Sequence, residues 1–300
     1  MVKKSFLIIL CVFVTNFCFS RCALDFSSIA RNTVLPELHM FVARDGDTLS
    51  YRSYGSETES LIILLHGSGS HGGYLDFMAR ELAEGATVFV PTMRGHYKSG
   101  SARGTCSYVG QLEDDLNDFL KHVEYKKYAK VSMVGHSSGA SLAIRFSGGQ
   151  YGSMVSRYVL LAPVIPAVST LQKPDAGWAQ PKMFKLIPLM LGNFLGIQMF
   201  NNSSVITFNM PQEYRDGTET LEYSYNLLFS MNPQFDYQKD LESIDGRSIV
   251  IVGKDDECLF GDEYKKLFLK SPLYIFEKTT HFSLVRDERT IQKIREFCIE

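Results

Sequence analysis

Short apolar runs recur along this chain, and several lead into stretches with helical spacing. Leu61-Ile62-Ile63-Leu64-Leu65, Thr87 to Pro91, Val131-Ser132-Met133-Val134, Tyr158 to Val164, Ser248 to Gly253 and Leu273 to Phe276 read as buried strands. A strand without polar alternation is covered on both faces, so helices must flank a mostly parallel sheet. Val109 to Val123, with Leu112, Leu116, Phe119, Leu120 and Val123 on one side, reads as such a helix. Ala140 to Phe146 and Glu288 to Phe297 supply two more. Leu38 to Ala43 and Thr48 to Tyr54 flank the turn signal Asp45-Gly46, which gives the sheet an antiparallel start.

One segment breaks this rhythm. Residues 165–246 separate two core strands by far more than the about 10–12 residues a crossover needs. They include the apolar patch Leu186-Ile187-Pro188-Leu189-Met190-Leu191 and Phe194-Leu195, interrupted by Pro188 and Gly192. The segment is expected to be a helical cap over one end of the sheet. Residues 21–164 and 247–300 then form the two parts of the core. With 300 residues, 45% of them hydrophobic, the chain has ample material for one large α/β domain carrying this insertion.

The first twenty residues stand apart. A basic head, Met1 to Lys4, precedes an apolar run from Ser5 to Phe19, shorter than the ~20 residues of a membrane span but suited to a signal peptide. Small residues at Cys18-Phe19-Ser20 suggest cleavage after Ser20 and export; an uncleaved N-terminal anchor is the alternative. Cleavage leaves Cys22, Cys106, Cys258 and Cys298, which could pair in three ways or remain thiols. Asn201-Asn202-Ser203-Ser204 holds overlapping glycosylation acceptors. A net charge of -2 argues against nucleic acid as a partner, because phosphate binding needs a basic face. No metal-ligand spacing occurs, so neither a metal nor another cofactor is expected.

The chemistry concentrates at Gly135-His136-Ser137-Ser138-Gly139, between an apolar strand and a helix. In that context G-x-S-x-G is a sharp turn that exposes the serine hydroxyl. A serine needs a base to take its proton, and in folds built on such a turn the acid and then the histidine follow the nucleophile. Six of the seven histidines precede Ser137, leaving His281, in Thr279-Thr280-His281-Phe282, as the candidate base. The acid should leave the strand Ile249 to Val252, where Gly253-Lys254-Asp255-Asp256 offers Asp255 and Asp256. Charge on a substrate oxygen needs N–H donors. Ser138 supplies one from its backbone, and the backbone of Ser68, in His66-Gly67-Ser68-Gly69, is expected to supply the other.

His66-Gly67-Ser68-Gly69, Arg94-Gly95-His96-Tyr97-Lys98-Ser99-Gly100, Gly135 to Gly139, Gly253 to Asp256 and Thr280-His281-Phe282 together resemble the α/β-hydrolase superfamily. Within it the chain is similar to the monoglyceride lipase, lysophospholipase and serine aminopeptidase-like branch, from about Leu38 to Phe297. The resemblance implies an eight-stranded, mostly parallel sheet with helices on both faces, and a cap between the sixth and seventh strands. It also implies hydrolysis through an acyl-enzyme. The family places its acid three residues after the strand-end glycine, which selects Asp256. Ser68 stands where a bulky residue is often found.

The expected activity is therefore hydrolysis of a carboxylic ester with an apolar acyl chain, such as a monoacylglycerol or lysophospholipid, with the cap patch lining an acyl tunnel or touching a membrane surface. The same residues would serve a small-substrate peptidase, an amidase or a thioesterase. An inert hydrolase-like binding domain is the alternative of another class.

Overall fold

The computed structural model describes residues 24–29, 34–173 and 177–300; the signal-like segment and Cys22 lie outside the described residues. Eight strands form one sheet: β1 (His39–Val42), β2 (Thr48–Tyr54), β3 (Ser60–Leu65), β4 (Thr87–Pro91), β5 (Lys130–His136), β6 (Arg157–Leu161), β10 (Ser248–Gly253) and β11 (Leu273–Phe276). Their spatial order is β1-β2-β4-β3-β5-β6-β10-β11. β2 runs antiparallel to both β1 and β4, and every other pair is parallel. This is the α/β-hydrolase fold. β3, β5 and β10 owe their central places to composition: their Leu, Ile and Val side chains are buried on both faces.

The helices of the core are α1 (Asp76–Leu82), α2 (Gln111–His122), α3 (Ser138–Gly148), α6 (Tyr237–Ile244) and α7 (Glu288–Cys298). α1 packs with α7 on one side of the sheet, and α2 and α6 pack with α3 on the other. After β3 the chain moves outward to β4, then returns across β3 to β5. Loops leaving the carboxyl ends of β3 and β5 therefore diverge and leave a crevice between them, where such sheets bind ligands. β6 ends at Leu161, three residues before the expected Val164, because Ala162 turns to a φ of 46° and Pro163 follows.

Between β6 and β10 the insertion is mixed rather than helical. It carries β7 (Ala179–Pro181), β8 (Ser204–Phe208) and β9 (Glu222–Ser224) in a three-stranded antiparallel sheet. Two helices, α4 (Met183–Phe194) and α5 (Tyr225–Ser230), pack with it. Two of the strands span only three residues, too short to show a period of two. α4 continues through Pro188, although proline removes one N–H from its ladder.

No disulfide joins Cys106, Cys258 and Cys298 to one another, and burial pushes the thiols of Cys106 and Cys298 up to about 12. Of the two glycosylation acceptors, Asn201 is buried and exchanges two hydrogen bonds with Asn193, whereas Asn202 is exposed.

Candidate active site

Ser137 sits between the last residue of β5 and the first of α3, in a strained conformation with φ 56° and ψ −123°. Its N–H donates to Leu161 O at 2.8 Å, and its C=O accepts from Ala140. The turn can be this tight only because its second glycine lacks a side chain: a Cβ on Gly139 would lie 2.4 Å from Leu65 O. Backbone strain of this kind costs of order 1–3 kcal/mol and persists where surrounding structure enforces it. Here it lifts the hydroxyl to the edge of the crevice.

His281, on the loop after β11, and Asp256, on the loop after β10, meet next to the end of β5, where His136, the residue before Ser137, contacts the His281 backbone. His281 Nδ1 donates to Asp256 Oδ2 at 2.7 Å, and both side chains are buried. Asp256 Oδ1 accepts the N–H groups of Cys258 and Leu259 at 2.8 and 2.9 Å. Burial would raise the Asp256 carboxyl, but His281 and these N–H groups hold it below its ordinary value. Burial likewise lowers the imidazole, and Asp256, helped by Glu257, outweighs it and leaves His281 raised. With its proton on Nδ1, the neutral ring leaves Nε2 as the acceptor. Asp255 is exposed one residue away. A Cβ on Gly253 would lie 2.1 Å from Thr279 O, so a glycine at this strand end lets the two loops close together. The Ser137 hydroxyl makes no hydrogen bond to the ring among the described residues; such contacts often form only once substrate binds.

Three histidines that precede Ser137 fix the surroundings instead. His136 Nε2 donates to His281 O at 3.0 Å, while its Nδ1 accepts the Tyr74 hydroxyl at 2.9 Å. Tyr74 Oη in turn accepts Gly67 N–H at 2.7 Å, tying the loop after β3 to the His281 loop through one buried chain. His66 Nδ1 donates to Gly67 O, and its Nε2 accepts Met93 N–H. His96 Nε2 accepts the hydroxyl of Tyr223, from the cap, and that oxygen accepts Gly69 N–H. Burial lowers all three: His66 to about 4, His136 to about 3 and His96 well below its ordinary value. They stay neutral through the physiological range. Glu257 completes the frame, accepting His281 N–H at 3.0 Å and Asp25 N–H at 2.9 Å through its two oxygens. Nothing local in the sequence distinguishes Tyr74, Tyr223 or Glu257; only the contacts do.

The N–H groups of Ser68 and Ser138 take no acceptor among the described residues, and both residues line the same cavity as Ser137. Ser138 also begins an eleven-residue helix, whose N-terminus favours negative charge. The cavity runs beneath the cap between apolar walls that include Val164, Ile165, Trp178, Leu186, Ile206, Phe208 and Phe229. The patch expected to line a tunnel divides between two tasks. On α4, Leu186 and Met190 point inward, while Phe184, Leu191 and Phe194 are exposed, followed by exposed Leu195, Ile197, Met199 and Phe200. The expected site residues therefore form one cluster, held by the ends of β3, β5, β10 and β11. A cavity-lining serine, a buried acid–base pair and two unengaged N–H groups beside an apolar cavity suit acyl transfer.

Known proteins resemble this chain in sequence and in fold. The family described as serine aminopeptidase, S33, matches residues 56–271. The proline iminopeptidase PfmaB of Pestalotiopsis fici is 26% identical over 279 residues, covering 85% of this chain and 97% of that protein. Rat monoglyceride lipase is 28% identical over 144 residues, 46% of each chain. A soluble variant of the monoglyceride lipase of Saccharomyces cerevisiae, solved with a substrate analogue, superposes with a TM-score of 0.64 at 15% identity. That match covers 89% of this chain and 94% of the yeast one.

Proposed function

Since the chain belongs to the serine aminopeptidase S33 family of α/β hydrolases, we propose that it cleaves a carboxylic ester through an acyl-enzyme on Ser137. The Ser137 oxygen attacks the substrate carbonyl while His281 Nε2 takes its proton. The carbonyl electrons move onto oxygen, where the N–H groups of Ser68 and Ser138 receive the charge. Collapse of this intermediate expels the alcohol, protonated by His281, and water then repeats the sequence on the acyl-enzyme. Asp256 holds the ring in the tautomer that leaves Nε2 free and stabilises its charged form. The observation that carries this reading is the buried 2.7 Å Asp256–His281 bond, joined through the His136–His281 backbone contact to the strained, cavity-lining Ser137.

The apolar walls favour an acyl chain over a polar one. A fluorophosphonate probe should label the native protein, and kcat/KM for p-nitrophenyl esters should rise from acetyl to octanoyl. The rise should be up to about fourfold per methylene, the value of ~0.8 kcal/mol for full burial. A flat series would overturn the apolar-acyl assignment, and no labelling of folded protein would favour an inert binding domain. The iminopeptidase relative supports a second reading, cleavage of an N-terminal residue from a small peptide. Prolyl and alanyl anilides turned over faster than any ester would establish it.

A lipid surface is the partner that suits the exposed side of α4 and the residues after it. Leu195, Ile197, Met199 and Phe200 carry no charge, and the same helix lends Leu186 to the cavity wall, so substrate could pass from bilayer to cavity. Binding to phosphatidylcholine–phosphatidylglycerol vesicles should weaken at least ~10-fold in Leu195→Glu/Met199→Glu, since two apolar side chains lose their burial. Hydrolysis of a soluble short-chain ester should not change. Equal vesicle binding by the variant would exclude this face.

A further inference from the structure

We infer that the hydroxyl of Ser68 is a third donor to the substrate oxyanion, beside the two backbone N–H groups. The inference rests on the acyl-enzyme reading above and deepens it. Ser68 Oγ lies 2.7 Å from Ser138 Oγ, and both residues line the cavity with Ser137. Two hydroxyls carry two hydrogens, and their mutual bond uses one. With Ser138 donating to Ser68, the Ser68 hydrogen is left to turn elsewhere.

In the free protein its neighbour is the phenol of Tyr223. That oxygen already accepts Gly69 N–H and donates its own hydrogen to His96, so it gains little from one more neutral bond. An oxyanion forming between the Ser68 and Ser138 N–H groups is a far better acceptor, because hydrogen bonds to a charged oxygen are roughly twice as strong as neutral ones. The Ser68 hydrogen turns to it as the charge develops, and Ser138 stays behind as the donor that polarises Ser68. Neither Ser68 nor Ser138 gives up its proton: the negative charge comes from the carbonyl π electrons as Ser137 attacks, and the Ser137 proton goes to His281. The gain is confined to the transition state, since the ground-state carbonyl is neutral, and therefore raises kcat more than it lowers KM.

Alanine at position 68 keeps the backbone N–H and removes only the hydroxyl. Native protein is first shown to react with a fluorophosphonate, so that failure of the acyl-enzyme reading is seen separately. In Ser68→Ala, kcat for a p-nitrophenyl ester should fall about 100-fold with KM nearly unchanged, as for loss of other oxyanion donors. Affinity for a boronic acid, which forms a tetrahedral adduct on serine, should fall in parallel. Ser138→Ala, which removes only the polarising partner, should lose about tenfold less than Ser68→Ala, and Ser68→Thr should recover most of kcat. Circular dichroism and thermal melting check that each variant is folded. An unchanged kcat in folded Ser68→Ala, or a loss confined to KM, would overturn the inference. Equal losses in Ser68→Ala and Ser138→Ala would also do so, by making the pair a structural brace.

Discussion

Ser137→Ala should lower kcat by about 10⁵–10⁶-fold and abolish fluorophosphonate labelling while leaving the protein folded, because alanine keeps the Cβ and the lost hydroxyl makes no hydrogen bond among the described residues. His281→Ala should cost about as much, since a nucleophile and its base act as one unit and removing either stops both. Asp256→Asn should retain more, falling about 10⁴-fold, because the ring keeps its place but not its tautomer. Single-turnover assays on ester substrates measure all three. The proposed mechanism requires the neutral ring, so kcat/KM should fall as pH drops through the His281 pKa. Burial pulls that pKa down, and Asp256 and Glu257 pull it up by more, so the fall lies above histidine's ordinary 6.5. Asp256→Asn removes the larger upward pull and should move the residual activity's acid limb to lower pH. A limb that stays in place would mean another group sets it.

Arg94→Met should cost about 3–5 kcal/mol of stability, the range found when a buried ion pair loses one partner. Arg94 is only 5% exposed, yet its guanidinium meets three carboxylates: Asp115 at 2.7 Å, Asp47 at 2.8 Å and Asp45 at 3.0 Å. It pins the β1–β2 turn to α2, and methionine fills the space without satisfying those oxygens. The pH dependence has a definite sign. Burial already pushes the Asp115 carboxyl up to about 6 against the pull of Arg94. An acid whose folded pKa exceeds its unfolded one loses stability as pH rises through the folded value. Without Arg94 that pKa climbs further, so the deficit should be largest above neutrality and shrink toward about pH 4, where the carboxyl is protonated and needs no counter-charge. Urea unfolding of both proteins across this range measures it. A deficit independent of pH would point to lost packing instead.

Much of this was legible because it is local. Runs such as Leu61 to Leu65 and Ser248 to Gly253 can be buried only as interior strands, whatever the rest of the chain does. The strand–glycine–serine–glycine–helix succession allows one kind of turn, and chain order left one histidine after it. Expectations failed where local signals were weak or conflicting. Ser204 to Phe208 is a strand inside a segment read as helical, because its partners β7 and β9 are three-residue pieces that show no period.

Sequence by itself therefore determined the sheet and the turn that carries Ser137, and it singled out His281 as the proposed base, since each follows from periodicity, glycine spacing or order along the chain. Only the tertiary structure decided that Asp256 rather than Asp255 faces the ring by geometry, a matter of one residue's rotation in a turn. It alone turned His66, His96 and His136 into neutral struts, paired Ser68 with Ser138 across seventy residues, and set Arg94 among three carboxylates. Those outcomes depend on which distant groups share a buried, water-poor space, where an unmet polar atom is costly. Spacing along a chain does not encode that proximity; packing does.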